Sequence, residues 1–165
     1  MQLRPRMVFL LVAIAVGFAD IVPLAAQAQT PLINEFMSSN AATIADDDGD
    51  YSDWLEIHNP GAAAYDLTAC YLSDNAGNPL RWQFPACSIP AGGFLLVWAS
   101  GKDKVGIAGQ LHTNFAISAD GEPLLLTAAD GATRLDEVDP VALPPDVSFG
   151  RLPDAAAMWA LFGVP

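Results

Sequence analysis

Residues 84–102, FPACSIPAGGFLLVWASGK, carry the strongest β-strand signal in the chain. A strand end at Phe84-Pro85 leads to the proline–glycine turn Ile89-Pro90-Ala91-Gly92-Gly93, then to Phe94-Leu95-Leu96-Val97-Trp98, and out through Ala99-Ser100-Gly101. The run from Phe94 to Trp98 is apolar at every position, which predicts a strand covered on both faces and placed centrally in its sheet. Leu124-Leu125-Leu126 reads the same way. Leu55 and Ile57, by contrast, alternate with Trp54, Glu56 and His58, as in a strand with one face on the core.

Outward from this segment, strand-like runs recur at 32–36, 54–58, 64–67, 70–73, 81–84, 94–99, 124–127, 134–138, 147–150 and 158–162. Gly, Pro, Asn and Asp clusters separate them, at Asn59-Pro60-Gly61, Asp74 to Pro79, Asp120-Gly121, Asp130-Gly131 and Pro144-Pro145. That spacing is expected of an all-β antiparallel sandwich. Asp130-Gly131 is the candidate two-residue hairpin. One short helical turn is expected around Ser38 to Ala42, and no longer helical period is present.

Ahead of the strands, Arg4 and Arg6 precede the apolar stretch Met7 to Ala19, and Ala26-Gln27-Ala28 has the small-x-small pattern of a cleavage site. The expectation is a signal peptide over 1–28 and one domain over 29–165, in a protein that is secreted, extracellular or periplasmic. The stretch is shorter than the ~20 residues a bilayer core requires, with Asp20 and Pro23 interrupting it, so no stable membrane anchor is expected. The domain is large enough for an ordinary core.

The chain carries 7 basic and 19 acidic side chains, and removing Arg4, Arg6 and Asp20 leaves 5 and 18, a net charge near −13. So acidic a surface repels phosphate backbones and anionic lipid, so no nucleic-acid partner is expected. Cys70 and Cys87 flank a predicted hairpin, Tyr71 to Ser73 against Arg81 to Phe84. Pairing about its turn would set the two sulfurs roughly opposite, and a disulfide there would contribute about 3 kcal/mol. Two buried free thiols are the alternative.

Several motifs, in order and spacing, resemble secreted bacterial lamin-tail domains. They are Phe84-Pro85 with Ile89 to Gly93 and the strand closing in Val97 to Gly101, Ile33-Asn34-Glu35-Phe36 with Ser38-Ser39-Asn40, and Asp48 to Ile57 closed by Asn59-Pro60. Tyr71 to Asp74, Trp82 to Pro85, Leu111 to Phe115, Ser118 to Glu122, Asp146 to Arg151 and Trp159 continue the likeness, over roughly Thr30 to Pro165. The resemblance implies an immunoglobulin-like, non-catalytic module, often N-terminal to kinase-like spore-coat, carbohydrate-related or hydrolase domains and attached to cell-surface or matrix components. Two features depart from it. The chain stops at Phe162-Gly163-Val164-Pro165 where relatives continue into a Pro-Thr-Pro-Gly-like exit, which reads as a fragment or as an abrupt last strand. The cysteine pair is also foreign to the pattern.

The one candidate ligand cluster is Asp46-Asp47-Asp48-Gly49-Asp50 with Asp53, and Asp48, Asp50 and Asp53 are its calcium candidates. The EF-hand spacing fails, since loop positions 1 and 12 fall on Ile44 and Leu55. A solvated loop whose aspartates cap turns explains the same run. His58, on the outer face of its strand, and His112, in a loop beside Asn114, are too few for zinc, and no nucleophile elbow or phosphate-cradling glycine loop occurs. Glu35 and Glu56 fall at matching points of neighbouring strands, with Arg81 and Arg151 as candidate partners. Trp54, Trp82, Trp98 and Trp159 with Tyr51, Tyr65 and Tyr71 form either core or a carbohydrate platform. The expected function is a module with no catalytic residues and no cofactor, binding a cell-surface, matrix or protein ligand or spacing other domains. The alternative is a calcium-dependent nuclease or phosphoesterase, with Asp48, Asp50 and Asp53 converging near His58 or His112.

Overall fold

A computed structural model describes residues 29–163. The expected signal segment, 1–28, lies outside the described residues. The strands are β1 (Leu32–Met37), β2 (Asp53–His58), β3 (Tyr65–Asp66), β4 (Tyr71–Ser73), β5 (Trp82–Gln83), β6 (Ser88–Ile89) and β7 (Phe94–Ala99), followed by β8 (Lys104–Val105), β9 (Leu111–His112), β10 (Leu124–Thr127), β11 (Arg134–Val138), β12 (Ser148–Arg151) and β13 (Trp159–Phe162). A seven-stranded sheet in the order β13-β12-β1-β2-β7-β9-β8 faces a four-stranded sheet in the order β11-β10-β4-β5, and β3 and β6 form a two-stranded ribbon. This is an all-β, immunoglobulin-like sandwich. One pairing is parallel, β7 with β9, because the chain leaves β7, doubles back through β8 and returns along β7.

The core follows from the period-two patterns. Ile33, Phe36, Leu55, Ile57, Val97 and Leu111 from the large sheet meet Leu72, Trp82, Leu124, Leu126 and Val138 from the small one, with Leu67 and Ile89 closing one end. β10 is buried at all four positions and lies between β11 and β4, as its continuous apolar run predicts. β7 is central too, but Phe94 is 44% exposed on the outer face, where it stacks on His58 at 4.2 Å. Met37, Trp54 and Trp98 form a second, smaller apolar cluster. β2 is therefore buried on Trp54 and His58 as well as on Leu55 and Ile57, more completely than a half-buried strand.

β1 carries a bulge: Ile33 pairs with Ile57 and Glu35 with Glu56, leaving Asn34 over. The backbone of Ile33 is completed by side chains. Its N–H donates to Asp136 Oδ2 of β11 at 2.8 Å, and its carbonyl accepts from Arg151 Nε of β12 at 2.9 Å. Arg151 also donates to Asp136 at 3.0 and 3.1 Å and to the Ala156 carbonyl at 2.8 Å, and it lies over the Trp159 ring. This clasp ties the two sheets along one side.

Three local expectations give way to side-chain hydrogen bonding. No helical turn forms at 38–42, because the N–H groups there are taken by carboxylates: Asn40 by Asp53, and Ala41 and Ala42 by Asp146. Asp130-Gly131 is not a two-residue hairpin. Thr127 pairs with Arg134, and in the loop between them Asp130 accepts from the N–H groups of Ala132 and Thr133 and from the Thr133 hydroxyl. The Cys70–Cys87 bridge does not form, and both thiols are free. In the hairpin Tyr71 pairs with Gln83 and Phe84 N–H donates to the Cys70 carbonyl, so Phe84 stands opposite Cys70 while the Cys87 carbonyl accepts from Leu67.

Replacing Arg151 with methionine should lower unfolding free energy by about 3 kcal/mol or more in chemical denaturation, since it strands the Asp136 carboxylate and the Ile33 carbonyl in a nearly buried site. Burial and the nearby Asp66 raise the pKa of both thiols. Denatured, unreduced protein should therefore titrate for two thiols, and folded protein at mildly alkaline pH should alkylate more slowly than free cysteine.

Candidate functional site

The acidic loop between β1 and β2 is built around Asp46, whose side chain is fully buried. Its Oδ1 accepts from the N–H groups of Asp48 at 2.9 Å and Asp50 at 3.1 Å, and its Oδ2 from the Ser52 hydroxyl at 2.7 Å. Gly49 supplies the left-handed residue of this tight turn, at φ +85°. Asn40 ties the loop down by donating to the carbonyls of Ile44 and Ser52.

Two lysines reach into the loop from the segment after β7. Lys102 Nζ lies 2.6 Å from Asp46, 2.7 Å from Asp48 and 2.9 Å from Asp50. Lys104 Nζ lies 2.6 Å from Asp48 and 3.2 Å from Asp47. Burial opposes ionisation of Asp46, but Lys102, Ser52 and the two backbone donors outweigh it and hold the carboxyl well below the usual range. The Ile107 N–H lowers Asp47, and the two lysines lower Asp48. Burial works against the charge on Lys102, and the three carboxylates overcome it and raise its pKa.

Behind this cluster a polar chain enters the sheet. Asp47 Oδ1 lies 2.9 Å from His112 Nε2, and His112 Nδ1 lies 3.0 Å from the Ser100 hydroxyl. His112 is in β9 and fully buried, not in the loop expected from sequence. A side chain at Gly106 would run into the Asp47 carboxylate, so glycine there lets the acidic loop dock. Gln110 Oε1 accepts from both the Asp47 N–H and the Trp98 indole.

Two of the three calcium candidates share one site. Asp48 and Asp50 do converge, but with Asp46, while Asp53 accepts from the Asn40 N–H and burial raises its pKa. The point at which a cation would sit between Asp46, Asp48 and Asp50 is taken by the Lys102 ammonium. Beside the Ser100–His112–Asp47 chain, the adjacent backbone N–H groups that could stabilise an oxyanion are engaged. Gly101 N–H donates to the Phe115 carbonyl, and Lys102 N–H donates to Ser100 Oγ itself.

Glu35 and Glu56 are cross-strand neighbours, as expected, but neither Arg81 nor Arg151 serves them: Arg81 pairs with Asp74 and Arg151 with Asp136. Glu35 accepts from Ser148 and Glu56 from Asn34, and burial first, then Glu35 and Asp154, raise the pKa of Glu56. Gly150 is needed here because a Cβ would stand 2.9 Å from Glu35 Cγ. Trp54, Trp82 and Trp98 are buried, so they form core instead of a carbohydrate platform, and His58 is stacked under Phe94.

Lys102, Lys104, Ser100, the central place of Asp46 in its cluster and the docking role of Asp47 were missed at the level of sequence. A signal was available: the chain's only two lysines stand two residues apart, on one face of an extended segment, in a strongly acidic protein.

Compared with known families, residues 25–142 match the family model described as Lamin Tail Domain. β12 and β13 lie beyond the matched residues and still complete the large sheet, β12 directly against β1. No curated protein matches the chain.

The depressed carboxyls of Asp46, Asp47 and Asp48 contribute stability that is present above about pH 4 and lost as pH falls through their lower folded values. Lys102→Met should lower stability at neutral pH by roughly 1–2 kcal/mol, the scale of a charge-assisted contact discounted for its part-exposed partners. It should also flatten the acid side of the stability–pH curve, measured by denaturant titration across that range.

Proposed function

The chain belongs to the lamin tail domain family, whose members are non-catalytic immunoglobulin-like modules, and on that premise we propose that it is a secreted module that binds an extracellular or cell-surface ligand or spaces neighbouring domains. The N-terminal basic-apolar-small pattern supports export, and the likeness to secreted bacterial members supports a place at the start of a larger protein. The observation that carries the reading is the Lys102 ammonium, 2.6–2.9 Å from the three carboxylates that would otherwise hold a metal. The most reactive-looking cluster in the fold is spent on holding a loop against a sheet.

Charge supports a particular kind of ligand. All five basic side chains of the described residues are paired internally, Arg81 with Asp74, Lys102 and Lys104 with the acidic loop, Arg134 with Glu137 and Arg151 with Asp136. Little free positive charge is left for phosphate or anionic lipid, so neutral or cationic partners are favoured.

The Asp47–His112–Ser100 chain favours one second reading, the calcium-dependent hydrolase. Phosphodiester, carboxylic ester and glycoside substrates, offered with and without calcium, separate the two. No turnover, and no calorimetric binding of calcium at about millimolar concentration, is expected. Turnover abolished by Ser100→Ala or His112→Ala would replace the module with an enzyme.

A further inference from the structure

We propose that the open side of the sandwich, between β5 and β8, is a docking groove for an extended, cationic segment of a partner protein; this deepens the binding reading above and rests on it. The two sides of the sandwich are finished differently. On one, Asp136 of β11 reaches the Ile33 N–H and Arg151, and the sheets are clasped together. On the other, β5 ends the four-stranded sheet and β8 ends the seven-stranded one. Asn114 donates to the Arg81 carbonyl just before β5, and Arg81 lies over the Phe115 ring. Beside this contact a hollow is lined by Trp82, Gln83, Pro85, Asp103, Lys104 and Val105.

Three properties of this hollow select its occupant. Both bordering strands are sheet edges, and an edge leaves backbone N–H and C=O groups free on its outer side. An added strand satisfies such groups, so the occupant is an extended peptide. Half of the lining is apolar, with Pro85 and the largely buried Trp82 on one wall and Val105, 59% exposed, on the other. The charge selects a cation: Lys104 is committed to Asp47 and Asp48, whereas Asp103 has no basic side chain of the described residues against it. A second copy of a chain with formal charge −12 is disfavoured by repulsion, and nucleic acid finds no free basic side chain among the described residues.

The backbone supports Asp103 as a presented residue. It has φ +50°, a left-handed conformation, and its N–H is fixed to the Thr113 carbonyl. Asn tolerates that conformation as Asp does, so Asp103→Asn removes the charge while keeping the loop.

The probe is an octapeptide alternating lysine and valine, titrated into isotopically labelled protein and followed by amide chemical shifts, with a glutamate–valine octapeptide as control. The lysine–valine peptide should give saturable shifts at Trp82–Pro85 and Asp103–Val105, and the control should give none. Affinity should fall about fivefold or more in Asp103→Asn, and likewise between about 50 and 300 mM salt. Val105→Lys, at an exposed position, should weaken binding further. Shifts confined to the acidic loop or to the β13 edge would overturn the groove and leave the binding module standing, as would affinity unchanged in both variants. Absence of any saturable shift would also overturn it. Failure of the module itself is read separately, as turnover in the substrate assays.

Discussion

The structure depends on how the backbone of Ile33 is completed. The bulge at Asn34 sets the register of β1 against β2, and the β1–β12 register pairs Glu35 with Gly150 and Phe36 with Phe149. Ile33 itself is buried, and a buried N–H or C=O without a partner costs about as much as a lost hydrogen bond. Asp136 and Arg151 supply the missing partners from the two sheets at once. One defect in a ladder thereby becomes the joint between layers. The same bulge accounts for Glu35 and Glu56 standing side by side on the outer face. That arrangement is tolerable because Ser148 and Asn34 donate to them and because Gly150 leaves room for the Glu35 side chain.

The acidic loop follows a similar logic with charge in place of backbone. Four aspartates within five residues would repel one another on a free loop. Here each is held differently: Asp46 by its own loop's N–H groups, Asp47 by Ile107 and His112, and Asp48 and Asp50 by lysines. A divalent ion gathers carboxylates at a site open to exchange, whereas a tethered ammonium gathers them onto the chain's own sheet. The loop is thus bound to the β7–β9 region independently of any dissolved ion. The residues that make this possible include Gly106, whose missing side chain lets Asp47 reach in.

How much of this was legible follows from range. The strands of the core were readable because period-two burial is local information, and each of the ten expected runs falls on a strand of the structure. The short strands β6, β8 and β9 were not, because no strand-like run of four residues surrounds them as 64–67 and 81–84 do around the equally short β3 and β5. Local turn rules failed wherever a carboxylate intervened, as Asp146 does at Ala41 and Ala42 across more than a hundred residues of chain. The cysteine bridge failed for a related reason: flanking a hairpin does not place residues opposite one another unless the register is known, and Cys70 faces Phe84. The acidic run was visible, but its meaning lay in Lys102 and His112, more than fifty residues away.

Charge distribution connects these pieces to function. Four of the five basic side chains of the described residues stand against buried or crowded carboxylates, while Arg134 makes a loose exposed pair with Glu137. The consequence is an outward surface whose remaining charge is almost wholly negative, on a frame clasped along one side and open along the other. The strands bordering the groove end their sheets and Asp103 has no basic partner among the described residues, whereas on the clasped side Asp136 and Arg151 are joined to each other and to Ile33. Lys104 lines this hollow but is paired with Asp47 and Asp48, which leaves Asp103 beside it without a basic partner among the described residues.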